Sequence, residues 1–73
     1  MSASITRIDA RGISCPEPVI MTKKALQENL PVIEVIVDNA AAKGNIERFA
    51  RMSGCSVTTK EAGSDFILTI TRA

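Results

Sequence analysis

The sequence predicts an α/β two-layer sandwich, with two helices on one face of a four-stranded mixed sheet. Three observations lead there. The chain has 73 residues, enough for one domain, expected to span 1–73, and one modest core. Its apolar residues recur with helical spacing in two segments and with strand spacing in four. In chain order these segments run β-α-β-α-β-β. Two right-handed βαβ crossovers put both helices on the same side, provided the chain keeps its direction along the sheet.

The first segment, Ser4 to Asp9, alternates weakly around Ile5 and Ile8 and reads as a short strand near an edge. Arg11-Gly12 breaks the pattern, and Gly12 can take a positive φ. Two prolines then bear on the first helix. A residue before proline is pushed out of the α region, so Cys15 before Pro16 and Glu17 before Pro18 are both expected to be extended. Pro18 fits the first helical position, where its missing N–H is not needed. From Pro18 to Asn29 the spacing is helical. Val19, Thr22, Leu26 and Leu30 share a face flanked by Met21 and Ala25, while Lys23, Lys24, Gln27 and Glu28 take the other. Ile20 projects among Lys23, Lys24 and Gln27. It is either a docking contact or an ordinary exposed apolar residue.

Leu30-Pro31 ends that helix. Val32 to Val37 is β-branched apart from Glu34 and predicts the central strand, with Ile33, Val35 and Val37 on one face and Glu34 on a partly wet one. Asp38 and Asn39 both suit the N-cap of a second helix over Ala40 to Ser53. Its stripe is Ala42, Ile46, Phe49, Ala50 and Ser53, with Gly44 on the exposed side and i,i+4 pairs Lys43/Glu47 and Glu47/Arg51. Gly54 follows as a left-handed C-cap. Cys55 to Glu61 and Asp65 to Thr71 form an antiparallel hairpin turned by Ala62-Gly63-Ser64, with Phe66, Leu68 and Ile70 on one face.

Composition narrows the chemistry. With only Phe49 and Phe66 as aromatics, the core must be aliphatic. A net charge of +1 gives no general attraction to nucleic acid, and there is no aromatic platform for bases, so direct nucleic-acid binding is not expected. No segment is apolar and long enough for a signal peptide or a membrane span. The expectation is a cytoplasmic protein without membrane insertion. Histidine is absent, which removes Cys-His pairs, Ser-His-Asp triads and histidine metal sites. Cys15 and Cys55 are too few for a disulfide framework or a structural zinc site, and a reducing compartment does not favour pairing them. No metal and no cofactor are expected.

What remains is chemistry that one cysteine can do alone. Cys15 stands where a helix begins, and the unpaired N–H groups and dipole of a helix start favour a thiolate. Arg11, Lys23 and Lys24 add positive charge and Glu17 opposes it. Two readings of Cys15 stay open: a reactive thiol that exchanges sulfur, and a small buried residue. Cys55, in phase with Val57, reads as core.

The stretch Asp9-Ala10-Arg11-Gly12-Ile13-Ser14-Cys15-Pro16-Glu17-Pro18-Val19 resembles the CPxP signature of the TusA/SirA family of small sulfur-carrier proteins. The resemblance runs over essentially the whole chain. It implies the β-α-β-α-β-β sandwich and a persulfide carried on Cys15, with Gly12, Pro16, Glu17 and Pro18 as motif support. It also implies a sulfur donor, either a cysteine desulfurase or a rhodanese-like protein, and an acceptor protein in thiosulfate or sulfur trafficking, tRNA thiolation or selenium-linked metabolism. Such a protein is a carrier rather than a stand-alone multiple-turnover enzyme. Asp38-Asn39-Ala40-Ala41-Ala42-Lys43 and Asn45 to Ala50 look closer to the N-terminal domain of YedF-like proteins. Arg11, Ile20, Lys23 and Lys24 are the candidate docking residues. The competing hypothesis is an accessory binding module, for a YeeE-type membrane transporter or another partner, that carries no sulfur.

Overall fold

The structure, a computed structural model, describes residues 5–14, 16–28 and 30–72. Ser4, Cys15 and Asn29, which the sequence assigns to a strand, the reactive site and a helix end, lie outside them. The elements are β1 (Ile5–Asp9), α1 (Glu17–Gln27), β2 (Val32–Val37), α2 (Ala40–Met52), β3 (Cys55–Ala62) and β4 (Asp65–Arg72). The order is the predicted one, and the fold is the predicted two-layer sandwich.

The β-branched run of β2 sits inside the sheet because both its edges are paired. The strand order is β1-β2-β4-β3. β1 pairs with β2 in parallel, and β4 pairs antiparallel with both β2 and β3. β2 and β3 therefore run the same way with β4 returning between them. Alternation then decides the faces. Ile33, Val35 and Val37 are fully buried under the helices, while Val32, Glu34 and Ile36 are half-buried on the open face. Glu34 is accommodated there by its register partner Arg7, whose Nε lies 2.9 Å from its carboxylate.

The core closes between Ile33, Val35, Val37, Leu68 and Ile70 of the sheet, Ala25 and Leu26 of α1, and Ala42, Ile46 and Ala50 of α2. Burying each large aliphatic side chain contributes roughly 1.5–3 kcal/mol relative to leaving it exposed. Cys55 and Val57 pack against this cluster as half-buried residues, and Cys55 is a free thiol.

Several boundaries differ from the sequence expectation, each for a local reason. Asn39, not Asp38, caps α2, its side chain accepting from the Ala42 N–H at 2.7 Å. Ser53 is the exposed C-cap rather than part of the stripe, and its hydroxyl donates to the Phe49 carbonyl. Gly54 then takes φ +81, the left-handed conformation that a Cβ would oppose. Ala62 belongs to β3 because it pairs with Asp65, leaving Gly63-Ser64 as the loop. Leu30 leaves the helix but still packs on the core. Gly44 is half-buried, shaded by its neighbours, although a Cβ there would meet nothing within 4 Å. Glu47 pairs with Lys43 at 3.5 Å but, among the described residues, not with Arg51, because its carboxylate turns to the Thr59 hydroxyl of β3.

Candidate functional site

The joint between β1 and α1 is built from fastenings on both sides of residue 15. Ala10 is 1% exposed, and its N–H continues the ladder to the Ile36 carbonyl at 2.8 Å. The chain then turns at Arg11-Gly12. Gly12 takes φ +72, and the Ile13 N–H returns to the Ala10 carbonyl. Ile13 is half-buried against the core.

Three carboxylates from three strand ends converge on this turn. Asp9 accepts from the Arg11 backbone N–H at 3.1 Å and from Nε and Nη2 at 2.9 and 2.8 Å. Asp65 accepts from Nη1 at 3.4 Å. Asp38 accepts from the Gly12 N–H at 2.8 Å. The Arg11 side-chain hydrogen bonds, then its backbone N–H, hold the Asp9 carboxyl down at about 2, and Asp9 in turn pushes the Arg11 guanidinium up. Arg11 was expected to supply positive charge to the thiol or to a partner. In the structure that charge is shared with Asp9 and Asp65, while the side chain stays half exposed.

On the helix side, Pro16 is the N-cap residue, with φ −94 and ψ 13. Its carbonyl accepts from the Val19 and Ile20 N–H groups, both at 3.1 Å, and the Glu17 N–H donates to the Ser14 carbonyl at 3.0 Å. Glu17 is therefore the first helical residue and Pro18 the second, which corrects the expected extended Glu17 and the expected start at Pro18. The steric cost of a helical residue before proline is offset by these bonds and by burial of the Pro18 ring in the core. The carbonyl of Pro18 also receives the buried Thr22 hydroxyl at 2.9 Å.

This start changes the electrostatics. The Glu17 and Val19 N–H groups are bonded within the chain, and Pro16 and Pro18 have none. The unpaired first-turn donors expected to favour a thiolate are therefore already used, leaving only the weaker helix dipole. Glu17, exposed in the same turn, opposes negative charge there.

The remaining sequence-predicted residues divide between two flanks of α1. Pro16 and Val19 line a groove of about 330 Å³ whose other wall is Asn45, Arg48, Phe49 and Met52 of α2. Lys24 lies on the opposite flank, beside Met21 and Ala25, facing Thr6 and Ile8 of β1. Ile20 is 36% exposed, and Lys23 and Lys24 are exposed without ion pairs among the described residues. The α2 wall of the groove was missed from the sequence. Met52 is 81% exposed beside it, and its only signal was an apolar residue left off the core stripe. Local sequence pattern presents Asp38 only as a cap candidate and Asp65 only as a strand start.

A model of the family described as Sulfurtransferase TusA matches residues 6–72. A candidate sulfur carrier protein of Methanocaldococcus jannaschii is 40% identical over 63 residues, covering 84% of each chain. Another, of Archaeoglobus fulgidus, is 31% identical over 64 residues, covering 85% of this chain and 83% of its own. The crystal structure of a SirA-like protein from Desulfitobacterium hafniense superposes with a TM-score of 0.85 at 35% identity, covering 93% of this chain and 96% of that one. These names support a sulfur-carrier role with donors and acceptors of sulfur as partners. The family match over residues 6–72, together with the shared fold, makes this chain a member of the TusA/SirA family.

Proposed function

We propose that this protein is a sulfur carrier that holds sulfane sulfur as a persulfide on Cys15. The observation that carries the proposal is the family match across residues 6–72, which includes the Cys15-Pro16-Glu17-Pro18 run at the start of α1. In the first step the Cys15 thiolate attacks the outer sulfur of a donor persulfide. A new S–S bond forms, the donor's S–S bond breaks, and the donor's cysteine leaves as a thiolate. In the second step an acceptor nucleophile attacks the outer sulfur and releases the Cys15 thiolate. Neither step changes the total oxidation state, and neither needs a metal or a cofactor. Exchange of this kind depends on access and on a good leaving thiol. The joint suits that demand, since Ser14, Pro16 and Glu17 are all exposed while Ile13 and Pro18 anchor the flanks.

The donor is proposed to be a cysteine desulfurase or a rhodanese-like protein, docking near Arg11, Ile20, Lys23 and Lys24. The acceptor belongs to thiosulfate or sulfur trafficking, tRNA thiolation or selenium-linked metabolism. The proposal places the protein in the cytoplasm, where thiols stay reduced. Among the described residues no helix is long and apolar enough to cross a membrane, so a transporter partner would be met at its cytoplasmic surface.

The test is intact mass after incubation with a cysteine desulfurase and cysteine, or with thiosulfate and a rhodanese. One added sulfur on the wild type and none on Cys15→Ser is expected. No adduct on the wild type, or an equal adduct on Cys15→Ser, would refute the carrier function and leave the accessory-module alternative.

A further inference from the structure

We infer that Asp38 is a positioning residue for the loop that carries Cys15; the inference rests on the carrier function proposed above. Its basis is a difference between the three carboxylates at the β1–α1 joint. Asp9 is two residues from Arg11, so its bonds are local and follow the loop wherever it goes. Asp65 reaches Arg11 from a distant strand, but at 3.4 Å and through a long side chain that can swing without moving the backbone. Asp38 alone among them makes a short tertiary bond to the backbone itself, 2.8 Å to the N–H of Gly12 and 26 residues away in sequence. An ionised acceptor makes such a bond short and about twice as strong as a neutral one.

Gly12 is where a fastening has most effect. It carries no side chain to anchor it and stands in the left-handed region, with open space where a Cβ would lie. Without Asp38 the turn's backbone would keep only local bonds, from Ile13 to Ala10 at 3.4 Å and from the Arg11 N–H to Asp9 at 3.1 Å. The far side of Asp38 is fixed as well. Its Oδ1 accepts from Asn39 Nδ2 at 3.4 Å, and Asn39 Oδ1 accepts from the Ala42 N–H. The carboxylate is thus tied to the cap of α2, the helix that supplies Phe49 and Met52 opposite Pro16. One side chain thus joins the loop backbone to the start of α2. Sulfur transfer needs the loop held in place, because two sulfurs and a leaving thiolate must line up and small displacements cost rate steeply.

The experiment compares Asp38→Ala and Asp38→Asn with the wild type in the full chain. It measures amide exchange at Gly12 by NMR and the rate of sulfur uptake from a cysteine desulfurase at saturating donor. Asp38→Ala is expected to speed Gly12 exchange about tenfold or more and to slow sulfur uptake on the order of tenfold. Asp38→Asn, whose amide oxygen can accept the Gly12 bond but which is neutral and has no second oxygen for Asn39, is expected to fall clearly between Asp38→Ala and the wild type in both. A purely stabilising role would instead shift the melting temperature without this rescue in transfer rate. Wild-type uptake by Asp38→Ala, or uptake by Asp38→Asn as slow as by Asp38→Ala, overturns the inference. If the wild type takes up no sulfur, the carrier function fails, and unchanged Gly12 exchange in Asp38→Ala then separately overturns the role of Asp38 in holding the loop.

Discussion

Arg11 closes on Asp9 with two nitrogens, Nε at 2.9 Å from Oδ1 and Nη2 at 2.8 Å from Oδ2, two residues apart at the end of an edge strand. The pair sets a carboxylate directly against the cation that stands next to the motif. It also makes a prediction about pH. Asp9 is held at about 2 against a usual value of 3.8. A carboxyl held low when folded adds stability above its unfolded value and loses that contribution as the pH falls through its folded value. The clasp should therefore stay intact from neutral pH to below 3.8 and open only as pH falls through about 2. The carboxyl carbon shift of Asp9, followed by NMR titration, checks this. In Arg11→Ala the midpoint should rise toward 3.8 but stay below it, because the backbone N–H of residue 11 still donates to Asp9, and a wild-type midpoint already at 3.8 would show that no clasp forms in solution.

Two glycines, one inside α2 and one just beyond its C-cap, should respond in opposite directions. A Cβ at Gly44 meets nothing within 4 Å, so Gly44→Ala should stabilise the domain by about 1 kcal/mol through helix propensity. Gly54 sits at φ +81, so Gly54→Ala should destabilise by about 1–2 kcal/mol. Urea unfolding followed by circular dichroism measures both. Equal signs would mean that backbone conformation does not govern these positions.

The exposed apolar residues around the joint should matter for partners rather than for folding. Ile20 is 36% exposed and Met52 81% exposed, so neither contributes much to the core. Ile20→Glu and Met52→Glu should each leave the melting temperature nearly unchanged. Each should lower the rate of sulfur uptake from a protein donor at limiting concentration by about fivefold, the equivalent of ~1 kcal/mol at an interface. Alkylation of Cys15 by a small reagent should not change. Loss of reactivity toward the small reagent as well would place the defect in the loop and not in docking.

Much of the fold could be read from local pattern. Val32 to Val37 announced the central strand, because burial on one face selects Ile33, Val35 and Val37 whatever lies beside them. Asn39 and Gly54 bracketed α2 because caps act within a turn of the chain. Failures came where a distant contact outweighed a local rule. Glu17 precedes proline yet is helical, since burial of the Pro18 ring holds the turn there. Asp38 and Asn39 were equal as cap candidates until Gly12 engaged one of them. Glu47 had two helical partners available and took Lys43 together with a hydroxyl on β3.

The sequence by itself determined the element order, the aliphatic core stripes, the absence of histidine chemistry and the position of the motif between β1 and α1. These follow from composition and from periodicities of two and 3.6 residues, which are properties of neighbours along the chain. Only the tertiary structure decided that β4 returns between β2 and β3, that Asp65 reaches the Arg11 guanidinium, and that Asp38 reaches the Gly12 backbone. It also decided that Pro16 faces Phe49 and Met52 across a groove. Each of these joins residues far apart in sequence, and side-chain identity leaves such pairings open until packing has selected among them.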